Sequence, residues 1–183
     1  MHTTPTTNQP RATRTLKLAL MTRPEKVFPL LCPVLEYEWI ETWACELVYS
    51  ESGVAENDCV FRTAKPNGLV DTWVVSHYEP PFCIEFVITN ALFATRMNLH
   101  LSEPASGHTQ IDWTFTMTSL GNVSQAKLEH MATVRAAALQ GREKEMAYYL
   151  ATGQCLKQST HAFCSASAHH NGRYPCHLPL GRL

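Results

Sequence analysis

At Gly121-Asn122 the hydrophobic period of the chain changes, and that change limits the folds open to it. Before it, TQIDWTFTMTSL (109–120) alternates. Ile111, Trp113, Phe115 and Met117 fall on one face and Asp112, Thr114, Thr116 and Thr118 on the other, which is the period of a half-buried strand. After it, from about 124 to 150, Leu128, Met131, Val134 or Arg135, Ala138, Leu139, Met146 and Leu150 recur every three to four positions. That is one long amphipathic helix, up to ~40 Å by its rise per residue. Gly141 falls midway and marks a bend or a close approach.

Upstream, strand-like stretches follow one another at short intervals. TRTLKLAL (13–20) places Leu16, Leu18 and Leu20 on one face. ACELVYSES (44–52), DCVFRTA (58–64), LVDTWVVSHY (69–78), FCIEFVIT (82–89) and FATRMNLHLSE (93–103) are separated by Gly53, by Pro66-Asn67-Gly68 and by Glu79-Pro80-Pro81. Short connections make neighbours antiparallel, mostly as a meander. Between the first two strands, RPEKVFPLLCPVLEYEWIETW (23–43) carries Pro24, Pro29 and Pro33, so it reads as two short helices in series, each with proline in its first turn. The expected fold is α+β: a curved antiparallel sheet of about seven strands, two short helices after the first strand, and the sheet wrapped round the long C-terminal helix. A helix ~10 Å across cannot cover a flat sheet of seven strands, which at ~4.8 Å spacing exceeds 30 Å. The sheet must curl, and curling without complete filling leaves a cleft behind the aromatic residues Tyr37, Trp39 and Trp43.

Composition excludes several functions. With 183 residues, 45% of them hydrophobic, the chain is long enough to bury one ordinary core. A formal net charge of -1 gives nucleic acid no basic footprint. No apolar run approaches ~18 residues, so no membrane span is expected. MHTTPTTNQPRATR lacks an apolar signal region and reads as a polar lead-in. Seven cysteines, Cys32, Cys45, Cys59, Cys83, Cys155, Cys164 and Cys176, form no C-x-x-C pair. An odd count without a secretion signal indicates reduced thiols in a cytoplasm. The expected organisation is a lead-in over 1–11, one domain over 12–152 and a flexible or irregular tail over 153–183. Monomer and homodimer both remain open.

The stretches RPEKVFPLLCPVLEYEWIETW, DTWVVSHYEPPFCIEFV and TQIDWTFTMTSLGN, in an order of strand, two short helices, strands and a long helix, resemble the SRPBCC superfamily. That group contains START, Bet v 1-like and polyketide cyclase/dehydrase-type domains, and the resemblance covers about residues 12 to 152. It implies a helix-grip fold with a cavity for an apolar ligand. It brings no universal catalytic signature, and its members divide among ligand carriers, a few cyclases and hydratases, and co-chaperone-like modules, so the fold transfers and the function does not.

Candidate residues follow from where each side chain is expected to point. Trp39, Trp43, Trp73 and Trp113 each read singly as core, and as a group they also border a cavity; Trp113, mid-strand on the apolar face, is the inward candidate. Met97, Ile111, Phe115, Leu128 and Met131 are the expected remaining walls, with Arg135 beside the helical stripe. Trp73 shares a face with Asp71, Val75 and His77; if that face turns inward, His77 is placed as an acid or base near neutral pH, and if outward it is a rim or surface residue. Glu85 and Arg96 either anchor a carboxylate ligand in the cavity or form an ordinary cross-strand pair outside it. Arg142, Glu143, Lys144 and Glu145 read mostly as a solvated helix face. Cys155, His161, Cys164, His169, His170, Cys176 and His177 match no zinc spacing, so no metal is expected, and the absence of G-x-S-x-G, H-E-x-x-H, P-loop and G-x-G-x-x-G motifs leaves no cofactor expected either.

The favoured expectation is a domain binding a hydrophobic or amphipathic small molecule between sheet and helix. The alternatives are a cyclase- or dehydratase-like enzyme, with His77, Asp71 and Arg96 as candidate groups, and a co-chaperone-like module docking a partner on its sheet. An ionisable group with a shifted pKa facing the void would favour the enzyme.

Overall fold

Leu18 and Leu20 become the buried face of the first strand, β1 (Arg11–Leu20), in a computed structural model that describes residues 8–157. Six more strands follow: β2 (Glu46–Tyr49), β3 (Val60–Ala64), β4 (Val70–Glu79), β5 (Cys83–Thr89), β6 (Phe93–Ser102) and β7 (Thr109–Ser119). They form one antiparallel sheet in the order β1-β7-β6-β5-β4-β3-β2. Consecutive strands from β2 to β7 are neighbours, and β1 closes the far edge by pairing with β7, Leu16 opposite Trp113 and Leu18 opposite Ile111.

The alternation in β7 is realised in full, with Ile111, Trp113, Phe115 and Met117 buried on the concave face. Its other face carries cross-strand polar pairs with β1. Thr13 meets Thr116 and Thr15 meets Thr114 at 2.9 Å each, and Lys17 meets Asp112 at 2.9 Å. The expected 44–52 strand shrinks to four exposed residues. The chain after it is gathered into a loop in which Ser50 Oγ donates to Val54 O at 2.8 Å and the Glu56 carboxylate accepts from the Ser52 amide at 3.2 Å. Those local bonds replace ladder bonds.

The proline-broken segment gives α1 (Pro24–Val27), a 3-10 turn (Phe28–Leu31) and α2 (Glu36–Trp39), with Pro33 in the turn before α2. The long helix is α3 (Gln125–Gln140) followed by α4 (Arg142–Thr152), separated at Gly141. α4 ends on Gly153, whose φ of 67° is the left-handed conformation that stops a helix. Ser124 caps α3 by accepting from the Lys127 amide at 3.3 Å. Ser124→Ala is therefore expected to lower unfolding free energy by about 1 kcal/mol in a urea titration.

The helix lies along one edge of the sheet. Gln125 takes the place of a neighbouring strand by accepting from Arg11 N at 3.2 Å and donating to Arg11 O at 2.8 Å, and Glu143 accepts from Ala19 N at 2.8 Å. Arg14 reaches Glu129 at 2.7 Å and Thr133 at 3.0 Å. The edge of β1 is thus covered by helix side chains. The consequence is asymmetry: α3 packs on β1 and β7, and the concave face of β3 to β6 is left to the short helices and to its own side chains.

Among the described residues, no helix is long and apolar enough to cross a membrane. Most of the expected lead-in and of the tail, including His161, Cys164, His169, His170, Cys176 and His177, lies outside the described residues.

Candidate functional site

The uncovered part of the concave face holds a cavity of about 80 Å³. Its floor is the sheet: Phe61, Trp73, Phe86, Met97, Leu99 and Trp113. Its roof is Arg135, Leu139 and Arg142 of the long helix, and its end wall is Leu31, Pro33, Glu36, Ile40 and Trp43.

The space is smaller than the width of the sheet implies, because aromatic rings fill much of it. Phe61 stacks on Trp73 with centroids 5.2 Å apart, and Phe86 meets both edge-on at 6.1 and 5.7 Å. Trp73 Nε1 donates to Thr63 Oγ1 at 3.0 Å, which fixes the indole. A wider, more open groove of about 400 Å³ lies elsewhere, among Phe28, Leu35, Val54, Tyr78, Pro80 and Pro81.

Of the residues singled out in the sequence, Trp43, Trp73, Met97, Trp113 and Arg135 border the cavity. Ile111, Phe115 and Leu128 are buried in the core, Met131 is packed against it half-buried, and none of these four borders the cavity. Trp39 is also core, 1% exposed, with Nε1 donating to Leu30 O at 3.0 Å. α2 is latched to α4 and to the residues just after it: Tyr149 donates to the Glu38 carboxylate, and Cys155 Sγ donates to Trp39 O at 3.4 Å.

The polar candidates need correction. Asp71, Trp73 and Val75 do turn inward, but the register of β4 against β5 shifts between Val75 and His77. That irregularity returns His77 to the surface, where its nearest charged partner is Glu79 at 3.4 Å. Arg96 points away from the cavity, 73% exposed, and binds Glu85 at 2.7 Å; Ser76 donates to the same carboxylate at 2.9 Å. This is the cross-strand pair on the outer face. Arg96→Met is expected to leave binding in the cavity unchanged, as measured by calorimetry with a small aromatic ligand. Asp71 is fully buried but already engaged, with Lys65 Nζ at 2.8 Å and Asn90 Nδ2 at 2.6 Å. It is a structural anion, not a free base.

Two further charged groups border the cavity. Arg142, whose position in the sequence reads mostly as solvated face, instead lines the cavity just after the bend, with its guanidinium 5.9 Å from the Trp39 ring and paired with Glu145. Glu36 is not singled out by any motif, but Glu36, Trp39, Ile40 and Trp43 are spaced as one helical stripe. Burial pushes its carboxyl up to about 8, with the Arg142 charge acting in the opposite sense. Arg135 is the third charged group. Its guanidinium lies 6.0 Å from the Trp73 centroid and 5.5 Å from that of Phe115. Burial lowers its pKa, and Asp71 opposes that shift. No cluster of three or more His, Cys, Asp or Glu able to hold a metal occurs among the described residues.

No protein-family model matches the sequence, and no curated protein matches it. Solved structures do. DynU16, a protein in the dynemicin biosynthetic locus, matches with a TM-score of 0.56 at 14% identity over 78% of this chain and 48% of its own. Ara h 8.0201 matches with a TM-score of 0.57 at 15% identity over 78% of this chain and 99% of its own. Protein MLL2253 from Mesorhizobium loti matches with a TM-score of 0.58 at 14% identity over 76% and 97%. The chain thus spans about half the length of DynU16 and nearly all of the other two. At such identities the likeness concerns the path of the backbone. With seven antiparallel strands, consecutive from β2 to β7, and a bent helix along the β1 edge, the chain has the helix-grip, Bet v 1-like fold.

Proposed function

We propose that the chain binds a hydrophobic or amphipathic small molecule in the cavity between the sheet and the bent helix. The observation that carries this is the wall: aromatic and aliphatic side chains from five strands, the 3-10 turn, α3 and the residues flanking α2 converge on one space, and among the described residues that line it only Glu36, Arg135 and Arg142 are charged. Such walls bind by removing apolar ligand surface from water, at ~25 cal/mol per Å² before ordering costs. The place of DynU16 in a biosynthetic locus supports a small-molecule ligand. At about 80 Å³ the cavity is below the ~300 Å³ of common ligand sites, so a ligand larger than a single ring enters by moving the short helices or α3 outward. Five cysteines without disulfides among the described residues support a cytoplasmic setting.

Two measurements test the reading. Native mass spectrometry of protein purified from its own host is expected to show a retained small molecule. Calorimetry with neutral 2-naphthamide is expected to show binding that Leu139→Trp, which fills the cavity from the helix side, weakens at least tenfold. Undiminished affinity in Leu139→Trp places any ligand elsewhere and overturns the proposal.

One observation favours a second reading, a cyclase- or dehydratase-like enzyme. Glu36, with a carboxyl held up to about 8, presents an acid still largely protonated at neutral pH to the same cavity. The enzyme reading requires that Glu36→Gln abolish conversion of the retained molecule while leaving its binding intact.

A further inference from the structure

The cavity is supplied with hydrogen-bond donors and short of acceptors. Arg135 projects from α3 with its guanidinium carbon over the rings of Trp73 and Phe115, and no described residue accepts a hydrogen bond from it. Ring contacts satisfy the faces of a guanidinium; the five N–H groups lie in its plane and need acceptors there. The anion nearest in charge, Asp71, is already committed to Lys65 at 2.8 Å and Asn90 at 2.6 Å. Trp113, whose side chain lines the floor of the same cavity, has its Nε1 buried behind that floor without a hydrogen-bond partner among the described residues. Arg142 has its own partner in Glu145. The remaining carboxyl of the wall, Glu36, is largely neutral near pH 7 because burial holds it up to about 8. With Lys65 balanced by Asp71 and Arg142 by Glu145, the charge of Arg135 stands over at neutral pH.

Resting on the ligand-binding reading above, we infer that the ligand is an organic acid, with its ring or chain against Trp73, Phe86 and Met97 and its carboxylate on the unpaired edge of Arg135. A planar carboxylate matches the guanidinium fork with two parallel bonds, and low local polarity strengthens that pairing. The carboxylate anchor sought in the sequence at Arg96 is thereby assigned to Arg135.

The test compares 2-naphthoate with 2-naphthamide, two probes alike in size and differing in charge, by calorimetry on the full chain at pH 7. The acid is expected to bind at least tenfold more tightly. Arg135→Met is expected to abolish that preference and keep affinity for the amide. Arg135→Lys, which keeps the charge and loses the fork, should retain part of it. Arg96→Met should retain all of it. An acid that binds no better than the amide, or a preference that survives in Arg135→Met, overturns the inference while leaving the binding reading in place. Failure of both probes to bind the native chain overturns both.

Discussion

Phe115→Ala should cost about 3–5 kcal/mol of unfolding free energy, the largest loss expected from any single truncation considered for this fold. Phe115 is 0% exposed at the centre of β7, opposite Met97 of β6 on one side and Arg14 of β1 on the other. It sits where the helix meets the sheet, so the void left by its ring cannot be closed by a surface side chain. It is also one of the two rings beside the Arg135 guanidinium, and its loss leaves that buried charge less well surrounded. Equilibrium unfolding in urea, with Val87→Ala on the exposed face of β5 as the comparison, measures the difference. Val87 is 40% exposed, and its truncation is expected to change stability by no more than about 0.5 kcal/mol. A loss under about 1 kcal/mol for Phe115→Ala would mean that β7 does not present this face to the core.

The same residues show which parts of the structure are legible in a single sequence. Period fixes faces: the alternation of β7 and the three-to-four spacing of α3 and α4 turn Ile111, Phe115, Leu128 and Met146 inward, but period does not separate core from cavity wall, and Ile111, Phe115 and Leu128, expected as walls, pack in the core instead. What period leaves open is settled by events that break it. His77 sits on the inward face by counting, and the shift after Val75 reverses it; nothing in VVSHYE marks that shift. The choice between Val134 and Arg135 in the helical stripe is unfavourable by hydropathy, yet Val134 is 57% exposed and Arg135 faces the cavity. The reason is tertiary: with the helix laid on the β1 edge, the position above Trp73 needs a side chain long enough to span a gap, and an arginine stem does so while its head meets aromatic faces. Glu36 was hidden differently. A carboxylate in a four-residue helix reads as surface, and only its spacing to Ile40 and Trp43 reveals that it shares their side. The size of the cavity was the least legible quantity. Sheet width against helix width requires a gap, but ring stacking across neighbouring strands, as between Phe61 and Trp73, decides how much of it remains.

Glu36 also makes stability depend on pH in a direction opposite to that of most carboxylates. Its carboxyl is raised from an ordinary 4.5 to about 8 by burial. In the unfolded chain the group ionises near 4.5, while in the folded chain it keeps its proton until about 8. Over that interval the unfolded state binds fewer protons, so unfolding becomes easier as pH rises. The contribution is complete below about 4.5, declines through neutrality and is gone above about 8. At ~1.4 kcal/mol per pH unit the full interval would give ~5 kcal/mol. Residual solvent contact of this half-buried residue and the opposing Arg142 charge reduce the expected effect to roughly 2–4 kcal/mol. Glu36→Gln keeps the shape and cannot ionise, so its stability relative to the native chain should rise by that amount between pH 5 and pH 8.5. Every other group is the same in both proteins and cancels in the difference. Urea unfolding of the two proteins at a series of pH values gives the curve directly. Parallel profiles across the interval would show that Glu36 reaches solvent, and would remove with it the neutral carboxyl on which both the enzyme reading and the surplus positive charge at Arg135 depend.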